Sequence, residues 1–256
     1  MINEKEWDKY ELYKGDCLEL MKDIPDKSID MILCDLPYGT TQNKWDSIIP
    51  LDKLWRQYCR IIKDNGAIVL FAQTPFDKVL GVSNLKMLKY EWIWEKTAAT
   101  GHLNAKKMPM KAHENILVFY KKLPTYNPQK TMGHTPVHSY TKHQDDGSNY
   151  GKTKVGISGG GSMERYPRSV QVFKSDKQKV ALHPTQKPID LLQYLIKTYT
   201  NENELVLDNC MGSGSTAVAC LNTNRKFIGI ELDDKYFDIA KERIENTYKE
   251  LNKEIS

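Results

Sequence analysis

Four acidic residues follow apolar segments that are typical of buried strands. Asp16, Asp35, Asp208 and Glu231 stand at or just beyond the ends of these segments. In an open parallel sheet, ligands bind at the carboxyl ends of the strands, near the point where strand order reverses. Four carboxylates at that edge would suit a ligand with several hydroxyl, amino or ammonium groups, because carboxylate oxygens accept such hydrogens.

A glycine-rich loop, 208–216, follows one of these strands and precedes a predicted helix. Gly212 and Gly214 let the backbone approach a ligand more closely than a residue with a side chain would. The next strand ends at Glu231, where an acid can accept both hydroxyls of a ribose. The loop and this acid predict an adenosine-containing ligand. Ala217 replaces the third glycine of the dinucleotide fingerprint, which disfavours a nicotinamide cofactor.

The elements that must position these residues alternate along the chain. Continuous apolar runs predict parallel strands, and helical apolar spacing predicts the segments between them. The predicted strands cover 11–15, 29–34, 67–72, 205–208 and 227–231, with two more, 90–94 and 115–120, at the far edge of the sheet. The predicted helices cover 17–22, 51–63, 76–86, 188–199 and 215–221, and a last one begins at 233. A polar loop over 97–112 and an irregular segment from 121 to about 180 interrupt the pattern.

The bulk composition restricts the class of protein. A chain of 256 residues can form one α/β domain with a smaller insertion. No apolar run approaches the ~18 residues that span a bilayer, and the start of the chain lacks a signal-peptide stretch, so a cytoplasmic protein is expected. Five cysteines without a Cys-x-x-Cys pair argue against a disulfide framework and a zinc site, so no metal ion is expected.

Positive charge is concentrated in the middle of the chain. The net charge is only +4, but residues 100–180 carry 14 basic against 5 acidic side chains. Such a segment is either a solvated lysine-rich surface or a surface for an anionic partner.

Three motifs resemble those of the permuted (beta) class of DNA amino-methyltransferases. Residues 35–38, Asp-Leu-Pro-Tyr, are similar to the Asp-Pro-Pro-Tyr motif, which in this class precedes the Phe-x-Gly-x-Gly motif. The loop 208–216 is similar to that second motif, and 183–188 matches the family's His-Pro-Thr-Gln-Lys-Pro segment. The chain departs from the family pattern at Leu36, Asn209 and Met211, which replace Pro, Pro and Phe.

The resemblance implies the fold and its division into domains. It implies a circularly permuted, seven-stranded, Rossmann-like fold of the S-adenosylmethionine-dependent methyltransferases, with a target-recognition insertion. The catalytic domain would comprise 1–120 and 181–256, and the insertion 121–180. The first two strands in structural order would come from 205–231, and the third and fourth from 11–35.

The resemblance also implies the roles of the 35–38 loop. The side chain of Asp35 and the backbone carbonyl of Leu36 would accept the two hydrogens of an exocyclic amine, which localises the nitrogen lone pair. A carbonyl works whatever side chain it carries, so Leu36 preserves this chemistry, while Pro37 still stiffens the loop. Tyr38 would stack on a target base that has left the duplex.

S-adenosylmethionine is the implied cofactor. By the family pattern, Asp208 and the glycine turn lie beside its methionine and sugar, Glu231 binds the ribose, and Asp16 lies near the adenine. The segment 183–188 would contact the methionine end. The full set of implied cofactor-binding residues is Asp16, Cys17, Asp35, His183, Thr185, Lys187, Asp208, Asn209, Met211, Gly212, Ser213, Gly214, Ser215, Thr216, Glu231 and Leu232.

In the family, the segment between the two halves carries target recognition, and here it is the basic one. Its cations could pair with phosphates, and either arginine could instead read guanine edges. The candidate DNA-binding residues are Lys142, Lys152, Lys154, Arg165 and Arg168. Duplex DNA is the expected partner, and the resemblance adds a homodimer and a cognate restriction endonuclease as possibilities.

Three functions fit this sequence. An Asp at the head of the catalytic loop is more typical of adenine-N6 enzymes, so we expect a site-specific adenine methyltransferase that flips the base and transfers the methyl group directly. A cytosine-N4 enzyme and a catalytically idle nucleic-acid-binding relative are the alternatives. Transfer to cytosine carbon 5 is disfavoured, because it needs a cysteine nucleophile that generally follows a proline, and no cysteine here does.

Overall fold

The computed structural model of the protein describes residues 7–39, 48–142, 155–175 and 186–253. The chain divides into two compact units, Met1–Asn127 with Ser169–Ser256, and Pro128–Arg168. The second unit lies inside the predicted insertion, 121–180, whereas 121–127 and the residues from 169 onward belong to the first.

Strands and helices alternate along most of the chain. The strands are β1 (Tyr10–Lys14), β2 (Ile29–Asp35), β3 (Ile62–Ala72), β4 (Leu88–Thr100), β5 (Lys111–Phe119), β6 (Tyr140–Thr141), β7 (Ser158–Gly159), β8 (Val170–Phe173), β9 (Leu205–Asp208) and β10 (Lys226–Glu231). The helices are α1 (Cys17–Leu20), α2 (Leu51–Ile61), α3 (Phe76–Ser83), α4 (Ile189–Tyr199), α5 (Ser215–Asn222) and α6 (Asp234–Lys253). Short 3₁₀ turns occupy Met21–Asp23 and His102–Asn104.

Eight strands form the main sheet in the order β1-β10-β9-β2-β3-β5-β4-β8. The first five of these are parallel, and β5 runs antiparallel to both β3 and β4. β9 and β10 therefore lie between β1 and β2, although they come last in the chain. This order confirms the predicted Rossmann-like α/β fold, and it brings the carboxyl ends of β2, β9 and β10 to one edge.

The eighth strand, β8, was not predicted. Its sequence, Val-Gln-Val-Phe, has the two-residue alternation of a strand, but it is only four residues long and follows an irregular segment. It pairs in parallel with β4 at the edge of the sheet. The seven predicted strands are all present beside it.

The hairpin of β4 and β5 is longer than predicted. Strands were expected over 90–94 and 115–120, but cross-strand pairing continues from Glu95↔His113 to Thr100↔Lys111. Only 101–110 remains as the connecting loop. β3 ends at Ala72, which pairs with Asn115, so the hairpin extends past the edge where β3 stops. The extension was not predicted from the sequence because most of residues 95–100 of β4 are exposed and lack the apolar alternation of a half-buried strand.

Two hydrophobic clusters lie on the two faces of the sheet. One contains buried side chains of α2 and α3, and the other contains those of α4, α5 and α6. Successive residues of β2 alternate between them, with Ile32 and Cys34 on one face and Met31 and Leu33 on the other. Such two-sided burial explains the continuous apolar runs in the sequence. Within the described ranges, no helix combines the length and apolar composition that crossing a membrane requires.

The second unit is built from short pairings. β6 and β7 form a two-stranded antiparallel ribbon, and Thr131 pairs with Arg165 in an isolated bridge. Lys130 forms an ion pair with Glu164 at 2.7 Å, and its ammonium lies 4.8 Å from the ring centroid of Tyr166.

Candidate active site

A cavity of about 560 Å³ lies at the carboxyl edge of the main sheet. All four acids that follow the strands line it, namely Asp16, Asp35, Asp208 and Glu231. Its volume is within the range of about 300–1,000 Å³ that is usual for small-molecule sites. Because its wall combines carboxylates with a glycine loop, it fits a ligand that carries hydroxyl groups and positive charge.

The glycine-rich loop is shaped by two residues with positive φ. Gly212 has φ +52° and Gly214 has φ +77°, a conformation that side chains disfavour. A Cβ at Gly214 would also lie 3.1 Å from Ile244 Cδ1, on α6. Gly214 thus allows the loop to pack against α6. It was predicted to contact the cofactor, but it faces this helix and is not part of the cavity wall.

Glu231 holds the same loop from the neighbouring strand. One carboxylate oxygen accepts the Gly212 N–H at 2.8 Å, and the other accepts the Asp233 N–H at 2.9 Å. Burial raises the pKa of Glu231, and these backbone donors oppose the rise. Each oxygen has a second lone pair, so Glu231 can order the loop and still accept a ligand hydroxyl.

Asp208 is the most deeply buried of the four acids. It accepts the Thr216 hydroxyl at 2.6 Å and the Cys210 N–H at 3.1 Å, so it closes the loop over its own strand end. Burial raises the pKa of Asp208 to about 6. Its charge therefore changes close to neutral pH.

Asn209, which replaces the family's proline, has a buried partner that the sequence did not reveal. The hydroxyl of Tyr58, on α2, donates to Asn209 Oδ1 at 2.5 Å, and both residues are buried. The bond anchors the loop to α2. The hydrogen bond of the Asn209 amide restrains the loop at a position where a proline ring would restrain it covalently.

We expect Tyr58→Phe to destabilise the protein by about 1–3 kcal/mol, because it leaves the Asn209 carbonyl buried without its donor. Urea unfolding followed by circular dichroism measures this. Tyr166→Phe is the matched control, since Tyr166 is 69% exposed and should change stability little. Equal midpoints for the two variants would contradict the anchoring role.

Arg243 is a second loop anchor that sequence reasoning missed. From α6 it donates to the Ser213 carbonyl at 3.0 Å and to the Ser215 hydroxyl at 3.0 Å. The loop is therefore held from three elements, by Tyr58 on α2, Glu231 at the end of β10 and Arg243 on α6.

The 35–38 loop follows β2 directly. Asp35 Oδ1 accepts the Tyr38 hydroxyl at 2.5 Å, and the Tyr38 ring lies 5.3 Å from the Phe76 ring, between centroids. Leu36 is only 3% exposed and belongs to the core. Packing of Leu36 thus fixes the start of this loop, at the position where the Asp-Pro-Pro-Tyr motif has its first proline.

Lys187 binds the other oxygen of Asp35. Its ammonium lies 2.6 Å from Asp35 Oδ2 and 5.1 Å from the ring centroid of Phe71. Burial raises the pKa of Asp35, and Lys187 partly offsets the rise. Lys187 was predicted to touch the cofactor, and it lines the cavity while holding the carboxylate of Asp35.

A second buried carboxylate shares Lys187. Glu114 Oε2 lies 3.1 Å from the Lys187 ammonium, and Glu114 Oε1 lies 2.6 Å from the ammonium of Lys96. Burial opposes ionisation of Glu114, but Lys187 and Lys96 outweigh it and hold its pKa below the ordinary value. Neither Glu114 nor Lys96 was among the predicted site residues.

The sequence profile of a known family covers most of this fold. The profile of the DNA methylases, the N6/N4 family, matches residues 29–242, which include the 35–38 loop and the glycine-rich loop.

The chain belongs to this family. Among its curated relatives is the DNA adenine methyltransferase YhdJ of Escherichia coli (strain K12), which is 28% identical over 251 residues, covering 90% of this chain and 81% of YhdJ. The solved complex of M1.HpyAVI with S-adenosylmethionine is 25% identical, with a TM-score of 0.64, and covers 92% of this chain and 98% of that one. The cytosine-N4-specific PvuII methyltransferase has the same fold at 15% identity, with a TM-score of 0.65 and coverage of 96% and 95%.

The remaining predicted cofactor residues of this DNA methylase fall mostly on the cavity wall. Cys17, Asn209, Met211, Ser213, Ser215, Thr216 and Leu232 all line it. Met211 is also packed into the core, where its sulfur closely approaches Gly229. His183 and Thr185 lie outside the described residues.

The predicted DNA-binding residues have different surroundings. Lys152 and Lys154 lie outside the described residues. Arg165 donates to the carbonyl oxygens of Ser162, Glu164 and Thr135, so its guanidinium ties the second unit together. Arg168 is exposed and Lys142 is partly exposed, as phosphate contacts require. Both terminal nitrogens of the Arg165 guanidinium thus already donate to backbone carbonyls of the second unit.

The five cysteines are free thiols. In the part of the chain that the structure describes, no group of three or more His, Cys, Asp or Glu side chains is arranged to hold a metal ion.

Proposed function

We propose that this DNA methylase transfers a methyl group from S-adenosylmethionine to the exocyclic N6 of adenine in a specific duplex DNA sequence. The observation that carries the proposal is the placement of Asp35 in the same cavity as Asp208, Glu231 and the glycine-rich loop. A methyl acceptor held by Asp35 and a cofactor held by the loop would then meet in one cavity.

The carboxylate of Asp35 has one oxygen suited to the target amine. Lys187 holds Oδ2, whereas Oδ1 accepts only the hydroxyl of Tyr38 among the hydrogen bonds described for it. When Tyr38 turns to stack on a flipped base, Oδ1 becomes available for an amine hydrogen. Base stacking on an aromatic ring contributes about 1–3 kcal/mol, which offsets much of the cost of unpairing. The backbone carbonyl of Leu36 would accept the second hydrogen.

When bound, S-adenosylmethionine supplies a methyl group on a sulfonium. The amine nitrogen donates its lone pair to this carbon as the carbon–sulfur bond breaks, and the sulfur leaves as a neutral thioether. The nitrogen then carries a positive charge and loses one proton. Asp35 would stabilise that charge and accept the proton.

Adenine is favoured over cytosine by the Asp at the head of the catalytic loop, and the similarity to YhdJ supports the same base. The alternative is cytosine N4, which the likeness of fold to the PvuII enzyme keeps open. We propose that the basic segment 121–180 binds the duplex. Of its residues that the structure describes, Lys142 and Arg168 are candidates for contacts with the phosphates. A homodimer stays a prediction.

The base is identified by methyl transfer from labelled cofactor to duplex DNA, followed by digestion to nucleosides. We expect label in N6-methyladenosine of DNA. Label in N4-methylcytosine would establish the alternative, and no label in any nucleoside would contradict methyl transfer itself. In a second experiment, sequencing that detects methylated bases in DNA from expressing cells gives the methylated base and its sequence context together.

Cofactor affinity should fall below about pH 6, because protonation of Asp208 removes negative charge from a site for a cationic ligand. If the cofactor binds only the ionised form, a pKa of about 6 predicts about tenfold weaker binding at pH 5 than above pH 7. Isothermal titration calorimetry across pH 5–8 measures this, and Asp208→Asn should bind weakly with a flatter profile.

Weaker cofactor binding at pH 5 cannot be explained by unfolding of the protein when Asp208 is protonated. Because its pKa is raised in the folded protein, protonation favours the folded state, and the stability contribution is lost as pH rises through about 6. Binding that is equally tight at pH 5 and pH 8 would therefore contradict a role for the Asp208 charge.

A further inference from the structure

Four buried or half-buried charges form an alternating chain beside the 35–38 loop. Asp35 contacts Lys187 at 2.6 Å, Lys187 contacts Glu114 at 3.1 Å, and Glu114 contacts Lys96 at 2.6 Å. The side chains of Lys187, Glu114 and Lys96 are 8%, 7% and 11% exposed, and that of Asp35 is 24% exposed. With two acids and two lysines, the group has no net charge.

The strand order explains how the two acids come to share one lysine. Asp35 pairs with Phe71 on β3, and Phe71 pairs with Ile116 on β5, so the acids are two strands apart. Neighbouring strands are about 4.8 Å apart, too far for the carboxylates to touch across β3. Lys187 lies above the Phe71 ring and bridges the gap. Glu114 reaches it because it lies just past the Ala72↔Asn115 pair, where β3 has ended.

We propose that Glu114, held by Lys96, is a positioning residue for methyl transfer: it keeps Lys187 between two carboxylates, so that Asp35 retains the basicity needed to accept an amine hydrogen. This inference rests on the proposed function. Glu114 acts through Lys187 and does not itself need to touch the substrate. Nothing in the motifs of the sequence pointed to this pair of residues.

Electrostatics determines the direction of the effect. The groups that face Asp35 are Tyr38 and Cys34 from its own segment, Lys187 before α4, Asp208 on β9 and Glu114 on β5. Among these, Lys187 lowers the pKa of Asp35 and Glu114 raises it. Without Glu114, the Lys187 ammonium would interact with Asp35 alone, and Asp35 would become a weaker base. Without Lys96, Glu114 would interact more strongly with Lys187, and the anionic form of Asp35 would be less stabilised.

The two neutral substitutions Glu114→Gln and Lys96→Gln test this. Single-turnover methylation is measured from pH 5 to pH 9 at saturating cofactor, so that the effect of Asp208 on affinity does not enter. The acid limb is the part of the pH profile in which the methylation rate rises as Asp35 ionises, and the plateau is the pH-independent rate above it. Glu114→Gln should move the acid limb to lower pH by about one unit and lower the plateau rate about tenfold. Lys96→Gln should move the acid limb the other way, and the double variant should lie between the two.

Glu95→Gln is the matched control, because Glu95 is on the same strand as Lys96 but exposed. Cofactor affinity and circular dichroism, which a positioning role leaves unchanged, show that each variant is folded. A wild-type protein without methylation would contradict the proposed function and not this inference. With an active wild type, unchanged acid limbs, or shifts of both single variants in the same direction, would overturn the role of Glu114. A variant that fails to bind cofactor is replaced by Glu114→Asp, which keeps the charge and should restore the wild-type limb.

Discussion

Asp35→Ala is expected to lower the methylation rate by about 10²–10⁴-fold at pH 7, with little change in cofactor affinity. The substitution removes the acceptor for the amine hydrogen. It leaves Asp208 and Glu231, which order the glycine-rich loop through Thr216 and Gly212. Lys187 keeps Glu114 as its partner, so the variant has no isolated buried ammonium at this place. Single-turnover transfer of labelled methyl and cofactor titration measure the two quantities.

The same variant separates an enzyme from an idle relative. An idle nucleic-acid-binding protein would bind DNA and cofactor alike with or without the Asp35 carboxylate. Asp52→Ala, on the exposed start of α2, is a suitable control because its ion pair with Arg56 lies on the surface. If Asp35→Ala retained full methylation, the assignment of the 35–38 loop as the catalytic loop would be wrong.

Lys187→Met should have the largest effect on stability, because it leaves two buried carboxylates without the cation they share. Removing one partner of a buried ion pair typically costs about 3–5 kcal/mol. The loss should be greatest at high pH. Without Lys187 the pKa of Asp35 rises further in the folded protein, so stability is retained at low pH and lost as pH increases through that raised pKa.

Urea unfolding at pH 5 and pH 8 tests this pH dependence. Lys197→Met provides the control, since Lys197 is an exposed lysine on α4, the helix that Lys187 precedes. Methylation by Lys187→Met should also require a higher pH than the wild type. A stability loss that is the same at both pH values would show that Lys187 contributes through packing rather than through charge.

The sequence determined most of the elements and the edge of the sheet at which the candidate site lies. Parallel strands buried on both faces give apolar runs that are visible locally, so β2, β9 and β10 were predicted close to their true bounds. Each strand ends at an acid or a glycine-rich loop. Because parallel strands have their carboxyl ends at the same edge of a sheet, these residues are expected to lie close together. The four acids were therefore correctly predicted to meet, although they lie far apart in the chain.

The sequence was less informative where a strand is polar or very short, because the alternation of apolar and polar residues is then hard to recognise. The projecting part of the β4–β5 hairpin is mostly exposed, so its alternating pattern lacks the apolar residues that mark a strand. β8 has only four residues and depends on the edge of β4 for its hydrogen bonds. Neither the extension nor β8 can be recognised without knowing which strand is its neighbour.

Only the tertiary structure determined how the carboxylate of Asp35, the proposed catalytic group, is held. Asp35 and Lys187 are 152 positions apart, and Tyr58 and Asn209 are 151 apart, so no local spacing relates them. Glu114 in the sequence is one acid in a polar stretch, and its burial follows from the lengths of β3 and β5. The motifs specify which side chains are proposed to carry the chemistry, because those side chains lie next to the ends of their own strands. Strand order specifies which charges surround them, because contacts across a sheet depend on neighbours that the local sequence does not encode.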